Sequence, residues 1–206
     1  MLAIVDYGVG NLFSLKSSLD FIGKESVITS ERDIIEKADR LILPGVGAFG
    51  DAVRKLRESS LDSVICRMAE KSVPIMGICL GMQMLFERSY EYGVHEGLSL
   101  IKGCVRPISE TIPENLKIPH MGWNSLHFHG SRHPIFKYIN DGDYVYFVHS
   151  YHAAECEASL IADTEYGVPL TAAAACGSVC GCQFHPEKSG KTGLNILRGF
   201  CEWEGL

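Results

Sequence analysis

The chain has 206 residues, of which 46% are hydrophobic, and a formal net charge of −6. That length suits one α/β domain with a large buried core, and the acidic balance gives no support for nucleic-acid binding. No apolar run is long enough to span a bilayer, no signal peptide is visible at the N-terminus, and eight scattered cysteines do not resemble a secreted disulfide framework, so a reducing cytoplasm is the expected compartment.

Taken in order, residues 2–5 are an apolar strand. Gly8-Val9-Gly10 follows, but Phe13 occupies the place of the third glycine in G-x-G-x-x-G, so a dinucleotide site is not expected. These glycines leave Asn11 free to reach a ligand or partner. Residues 11–22 read as an amphipathic helix with Leu12, Leu15, Leu19 and Ile22 on one face. A strand at 25–29, a short helix near 33–37 and a strand at 41–43 come next. Helices near 51–57 and 62–71 precede the apolar run Val73-Pro74-Ile75-Met76. Strands alternating with helices predict a mainly parallel sheet with helices on both faces. The second half is richer in strands, at 103–108, 124–128, 144–148, 159–162, 172–175 and 179–184. A helix over 192–203 closes the chain.

The run at 73–76 leads into Gly77-Ile78-Cys79-Leu80-Gly81, and a helical pattern (Met82, Leu85, Phe86) follows. This is a strand, a sharp turn and a helix, the nucleophile elbow with Cys where hydrolases carry Ser. The turn crowds the backbone, and Gly77 and Gly81 meet its need for small residues. Cys79 then sits at a helix N-terminus, where the dipole favours thiolate. The Leu80 amide can donate to an oxyanion. Cys79 still requires a base, and Gln183-Phe184-His185-Pro186-Glu187 supplies one. Pro186 favours an extended His185. In an extended segment residues 185 and 187 point the same way, so Glu187 can fix the imidazole tautomer. The loop Pro44-Gly45-Val46-Gly47-Ala48-Phe49-Gly50 after the strand at 41–43 offers a second oxyanion amide from Val46 or Gly47. An ordinary strand-to-helix loop explains those glycines equally well.

Cys176, Cys180, Cys182 and His185 are the one cluster that suggests a metal. Their C-x3-C-x-C-x2-H spacing matches no usual zinc pattern, and the run from 170 to 184 reads better as a hairpin turning at Gly177-Ser178, so no metal is expected.

Gly77-Ile78-Cys79-Leu80-Gly81-Met82-Gln83 with Phe184-His185-Pro186-Glu187 resembles the class I, triad-type glutamine amidotransferases. Further blocks are similar to the branch that supplies the glutaminase subunits of imidazole glycerol phosphate synthases. They are Asp6-Tyr7-Gly8-Val9-Gly10-Asn11-Leu12, Pro44–Gly50, Met121-Gly122-Trp123-Asn124, His149-Ser150-Tyr151 and His185-Pro186-Glu187-Lys188-Ser189. The resemblance covers essentially the whole chain. It implies a flavodoxin-like, mainly parallel sheet flanked by helices, with extra antiparallel strands in the second half, as one domain over 1–206. It implies Cys79 as nucleophile, His185 as base, Glu187 as its orienter, and the Leu80 and Val46 amides as the oxyanion hole. Gly47, Gln83, Glu91, Ser150 and Tyr151 would hold L-glutamine, and no cofactor is implied. The partner implied is a separate (β/α)8-barrel cyclase in a heterodimer, docked through Asn11, Met121, Trp123, Tyr146 and Lys188 and fed with ammonia for histidine biosynthesis. Three other readings stay open: a free-standing Cys hydrolase of the same fold, an amidotransferase serving another acceptor, and a redox sensor with an elbow Cys. The sensor has no need of His185 and Glu187.

Overall fold

The computed structural model describes residues 1–205. The first half alternates as expected: β1 (Leu2–Val5), α1 (Leu12–Phe21), β2 (Ser26–Thr29), α2 (Arg32–Ile35), β3 (Arg40–Leu43), α3 (Phe49–Glu58), α4 (Leu61–Glu70), β4 (Ile75–Ile78) and α5 (Leu80–Met84). The second half is mostly strand: β5 (Phe86–Ser89), β6 (His95–Glu96), β7 (Ile101–Pro107), β8 (His120–Ser125), β9 (His127–Phe128), β10 (Tyr144–His149), β11 (Tyr151–Ala154), β12 (Leu160–Glu165), β13 (Pro169–Cys176) and β14 (Val179–Cys182), closed by α6 (Gly190–Glu202).

The main sheet has eight strands in the order β2-β1-β3-β4-β14-β13-β12-β9. From β2 to β14 the pairing is parallel, and from β14 to β9 it is antiparallel. The parallel part has the flavodoxin-like order, with β14 as its fifth strand. Two small sheets flank it: the ribbon β10-β8, and β11-β7-β5-β6.

The parallel strands are near-continuous apolar runs because both of their faces are covered. Successive residues point to opposite sides. Ala3, Leu41, Leu43 and Ile75 meet Val53 and Leu56 of α3 and Val64, Ile65 and Met68 of α4. Ile4, Ile42, Met76 and Ile78 meet Leu15 and Leu19 of α1 and Ile196 and Phe200 of α6. All five parallel strands end at one carboxyl rim, where ligands of such sheets bind.

Three local expectations change. The helix after Cys79 stops at Met84, and 86–89 is a strand because it pairs with β7. The strand expected at 124–128 is two, β8 and β9, separated at Leu126, and β8 begins four residues earlier at His120. Residues 151–154 form a strand through pairing with β7. Each difference comes from tertiary pairing overriding a short, ambiguous pattern. No helix among the described residues is long and apolar enough to cross a membrane.

Candidate active site

The elbow is strained and closely packed. Cys79 has φ 54° and ψ −113°, a sparsely populated conformation held by its surroundings. A Cβ on Gly77 would lie 2.6 Å from the Met82 Cα, and one on Gly81 would lie 1.8 Å from the Leu43 carbonyl oxygen. The Cys79 amide donates to the Cys182 carbonyl at 2.8 Å, tying the turn to β14. Leu80 opens α5, so its amide is among those with no partner inside the helix.

Parallel pairing brings the base to the nucleophile. Cys182 lies opposite Ile78, so the chain leaving β14 passes beside the elbow and carries His185 to it. His185 is extended (φ −102°, ψ 99°), and Pro186–Lys188 form a single 3-10 turn. This turn, rather than the fully extended segment expected, brings His185 Nδ1 within 2.8 Å of Glu187 Oε1. Both side chains are buried. Burial alone would lower the His185 pKa, but the nearby Cys79 and the hydrogen-bonded Glu187, with their charges, raise it to about 9. Ser189 fastens this loop: its hydroxyl donates to the His185 carbonyl at 2.7 Å and accepts from the Tyr146 amide at 2.9 Å. The His185 amide returns a bond to the Tyr146 carbonyl at 3.0 Å.

The loop after β3 packs on the elbow. Tyr7 donates its hydroxyl to the Pro44 carbonyl at 2.7 Å. Burial, and then the charge of Cys79, push the Tyr7 pKa well up, so it stays a donor. A Cβ on Gly45 would meet the Tyr7 hydroxyl at 2.7 Å and the Gly81 amide nitrogen at 2.8 Å. Beyond this contact the loop opens: Val46 is 43% exposed, and Gly47 has φ +98° with open space where a Cβ would stand.

Val46, Gly47, Cys79, Leu80, Gln83, Glu91, Ser150, Tyr151, His185 and Lys188 all line one cavity of about 650 Å³. Glu187 lies outside it, on the His185 Nδ1. Glu91 is buried, and its Oε2 accepts from the Phe49 amide at the start of α3 at 2.5 Å, where a carboxylate suits the helix dipole. Gln83 donates to the Tyr151 carbonyl at 3.1 Å and to Gln183 Oε1 at 2.9 Å. Asn11 lies behind the triad and lines a small void of about 10 Å³ with Val46, His185 and Glu187. Met121, Trp123 and Tyr146 are elsewhere, on the outer face of the β8–β10 ribbon. Met121 and Trp123 are 63% and 53% exposed, and the Trp123 ring meets Tyr146 edge-on at 6.0 Å. Trp123 is thus a surface side chain, not core.

Sequence reasoning did not single out Gln183, Tyr92 or His149 as parts of this site. Tyr92 and His149 line the cavity, and Gln183 touches the Cys79 sulfur. Gln183 carried one signal: a lone amide in an otherwise apolar strand run. The β13–β14 hairpin turns as expected, leaving Cys176 exposed and Cys180 and Cys182 in the core. Among the described residues, no group of three or more His, Cys, Asp or Glu could hold a metal ion.

The family model described as glutamine amidotransferase class-I matches residues 3–202. The chain is 47% identical to the imidazole glycerol phosphate synthase subunit HisH of Oceanobacillus iheyensis, over 98% of each chain. It is 46% identical to the protein of the same name from Aquifex aeolicus, over 96% of this chain and 94% of that one. Among solved structures, a glutamine amidotransferase superposes with TM-score 0.75 at 18% identity, over 97% of each chain. The glutaminase domain of Trypanosoma brucei CTPS gives 0.67 at 17%, over 98% of this chain and 93% of that one. The structures speak for the fold alone, whereas a family match from residue 3 to residue 202 and near-half identity over full length reach further: this chain belongs to the class-I glutamine amidotransferases.

Proposed function

We propose that this chain hydrolyses L-glutamine to glutamate and ammonia as the glutaminase subunit of an imidazole glycerol phosphate synthase, in histidine biosynthesis. The observation that carries the reading is a Cys at a strained elbow, beside a buried His–Glu pair at 2.8 Å, facing a cavity of about 650 Å³. The full-length relatives of that name supply the pathway.

In this mechanism His185, held by Glu187 at 2.8 Å, receives the Cys79 proton. The thiolate attacks the side-chain amide carbon of glutamine, and the carbonyl electrons move to oxygen. The Leu80 and Val46 amides bind this oxyanion. His185 returns its proton to the nitrogen as the C–N bond breaks and ammonia leaves. Water, deprotonated by His185, then cleaves the γ-glutamyl thioester to glutamate and regenerates the thiol. Gly47, Gln83, Ser150 and Tyr151 hold the substrate, and the Glu91 carboxylate pairs with its α-ammonium, since a buried cation requires a carboxylate partner.

Ammonia released into water at neutral pH is protonated and loses its nucleophilicity. The partner that takes it is a (β/α)8-barrel cyclase, which closes over Asn11, Met121, Trp123, Tyr146 and Lys188. Exposed Met and Trp side chains on one face of a two-stranded ribbon suit interface anchors. The chain works as one unit over 1–206, in the cytoplasm. The test is glutamate release from glutamine with and without the purified cyclase and its nucleotide ligand. The reading expects marked stimulation, and unchanged activity would sink the coupling.

A further inference from the structure

The Cys79 sulfur has a neighbour that the triad leaves unused. Gln183 is 0% exposed, and its Nε2 donates to Cys79 Sγ at 3.7 Å. An amide side chain offers N–H on one side and a carbonyl on the other, so its effect on a sulfur depends on which way it is turned. Here a backbone carbonyl decides. The Tyr151 C=O only accepts, so the Gln83 group facing it at 3.1 Å is the NH2. That NH2 gives its second hydrogen to Gln183 Oε1 at 2.9 Å. With its oxygen engaged there, Gln183 has only its own NH2 to present to the sulfur. Its backbone amide is anchored on the Ala172 carbonyl at 2.8 Å.

We propose that Gln183 is a catalytic residue that donates a hydrogen bond to the Cys79 thiolate, and that Gln83 and the Tyr151 carbonyl are positioning groups that keep its NH2 turned to the sulfur. The proposal rests on the reading of Cys79 as the glutaminase nucleophile. Hydrogen bonds to an anion are stronger than those to a neutral acceptor. The bond therefore favours the thiolate before attack and weakens once the sulfur is a neutral thioester. Gln183 transfers no proton, so it does not compete with His185. Gln83 follows Cys79 on α5 and Gln183 precedes His185 after β14, so the amide pair also ties the nucleophile's helix to the base's segment.

The test is the rate at which iodoacetamide alkylates Cys79 in the full chain as a function of pH, read from the mass of the Cys79 peptide, with glutamine turnover measured alongside. Gln183→Met keeps the volume and removes the donor. Gln183→Glu keeps the shape and an acceptor for Gln83 but also removes the donor. At pH 7 both variants are expected to alkylate roughly 10- to 100-fold more slowly than the parent and to lose kcat/KM in the same range, the scale of a hydrogen bond to a charged group. At pH 10 they should match or exceed the parent rate, because a less stabilised thiolate is the stronger nucleophile. A merely structural role would not produce that crossover. Superimposable pH profiles overturn the proposal, and Gln183→Glu decides alone if Gln183→Met fails to fold. Failure of the underlying glutaminase reading is separately visible, as a Cys79→Ala variant that still releases glutamate.

Discussion

Two segments meet at the Cys79 sulfur, and they are held by different physics. The β4–α5 elbow is fixed by sterics: glycines at 77 and 81 leave no room for a Cβ, and the nucleophile is pinned at positive φ. The segment after β14 is fixed by polar contacts. Glu187 holds His185, Ser189 holds the His185 carbonyl, and Gln83 holds Gln183. A packed backbone tolerates almost no substitution, whereas a polar network can be weakened one bond at a time. The elbow should therefore fail in an all-or-none way and the base segment in a graded one.

The largest expected effect is on chemistry at the elbow. Cys79→Ala should reduce glutamate release below detection while leaving the thermal midpoint nearly unchanged, since the side chain is small. Retained activity would refute the nucleophile assignment. Gly81→Ala tests the steric half of the comparison. Its new methyl would sit 1.8 Å from the Leu43 carbonyl oxygen, so a loss of about 4 kcal/mol or more is expected in urea unfolding. A loss below about 1 kcal/mol would show that the elbow can relax.

Graded effects belong to the base segment. Glu187→Gln should lower kcat/KM by roughly 1,000- to 10,000-fold, by analogy with loss of the carboxylate from a Ser-His-Asp triad. It should also change the pH dependence of stability. The folded His185 pKa, about 9, lies above its ordinary 6.5. The folded state thus binds more protons between those values, and stability is full below about 6.5 and lost as pH rises through about 9. The urea midpoint of the parent should fall over that window, and Glu187→Gln should flatten the fall; identical slopes would break the assignment. Ser189→Ala removes one bond at each end of its hydroxyl and should cost about 1 kcal/mol of stability. A roughly tenfold fall in kcat with little change in KM would accompany it, whereas a pure KM effect would place Ser189 in substrate binding instead.

The two segments also differ in how far the sequence reveals them. The elbow is a local event. Its glycines, apolar approach and following helix all lie within a dozen residues, so the pattern alone locates Cys79. The β1–α5 alternation is legible for the same reason, because strands buried on both faces read as apolar runs. The pattern reads residues 185–187 as extended, because Pro186 restricts His185 before it, whereas Pro186–Lys188 form a turn. Strands β5 and β11 are not legible locally, because both owe their conformation to pairing with β7. Gln183 is not legible in the sequence because its partners lie far along the chain: Gln83 is 100 residues away and Cys79 is 104.

Taken alone, the sequence determined the elements of the parallel sheet, the thiol at a strand-to-helix turn and a His–Glu pair two residues apart. These follow from steric limits and side-chain periodicity, which act over a few residues. Only the tertiary structure decided that β14 lies beside β4 and so delivers His185 to Cys79. It also decided that Glu91 is buried on the start of α3, that Trp123 faces outward, and that Tyr151 sets two amides in series with the sulfur. Each of these depends on strand register, which is settled by which apolar faces are buried together over the whole chain.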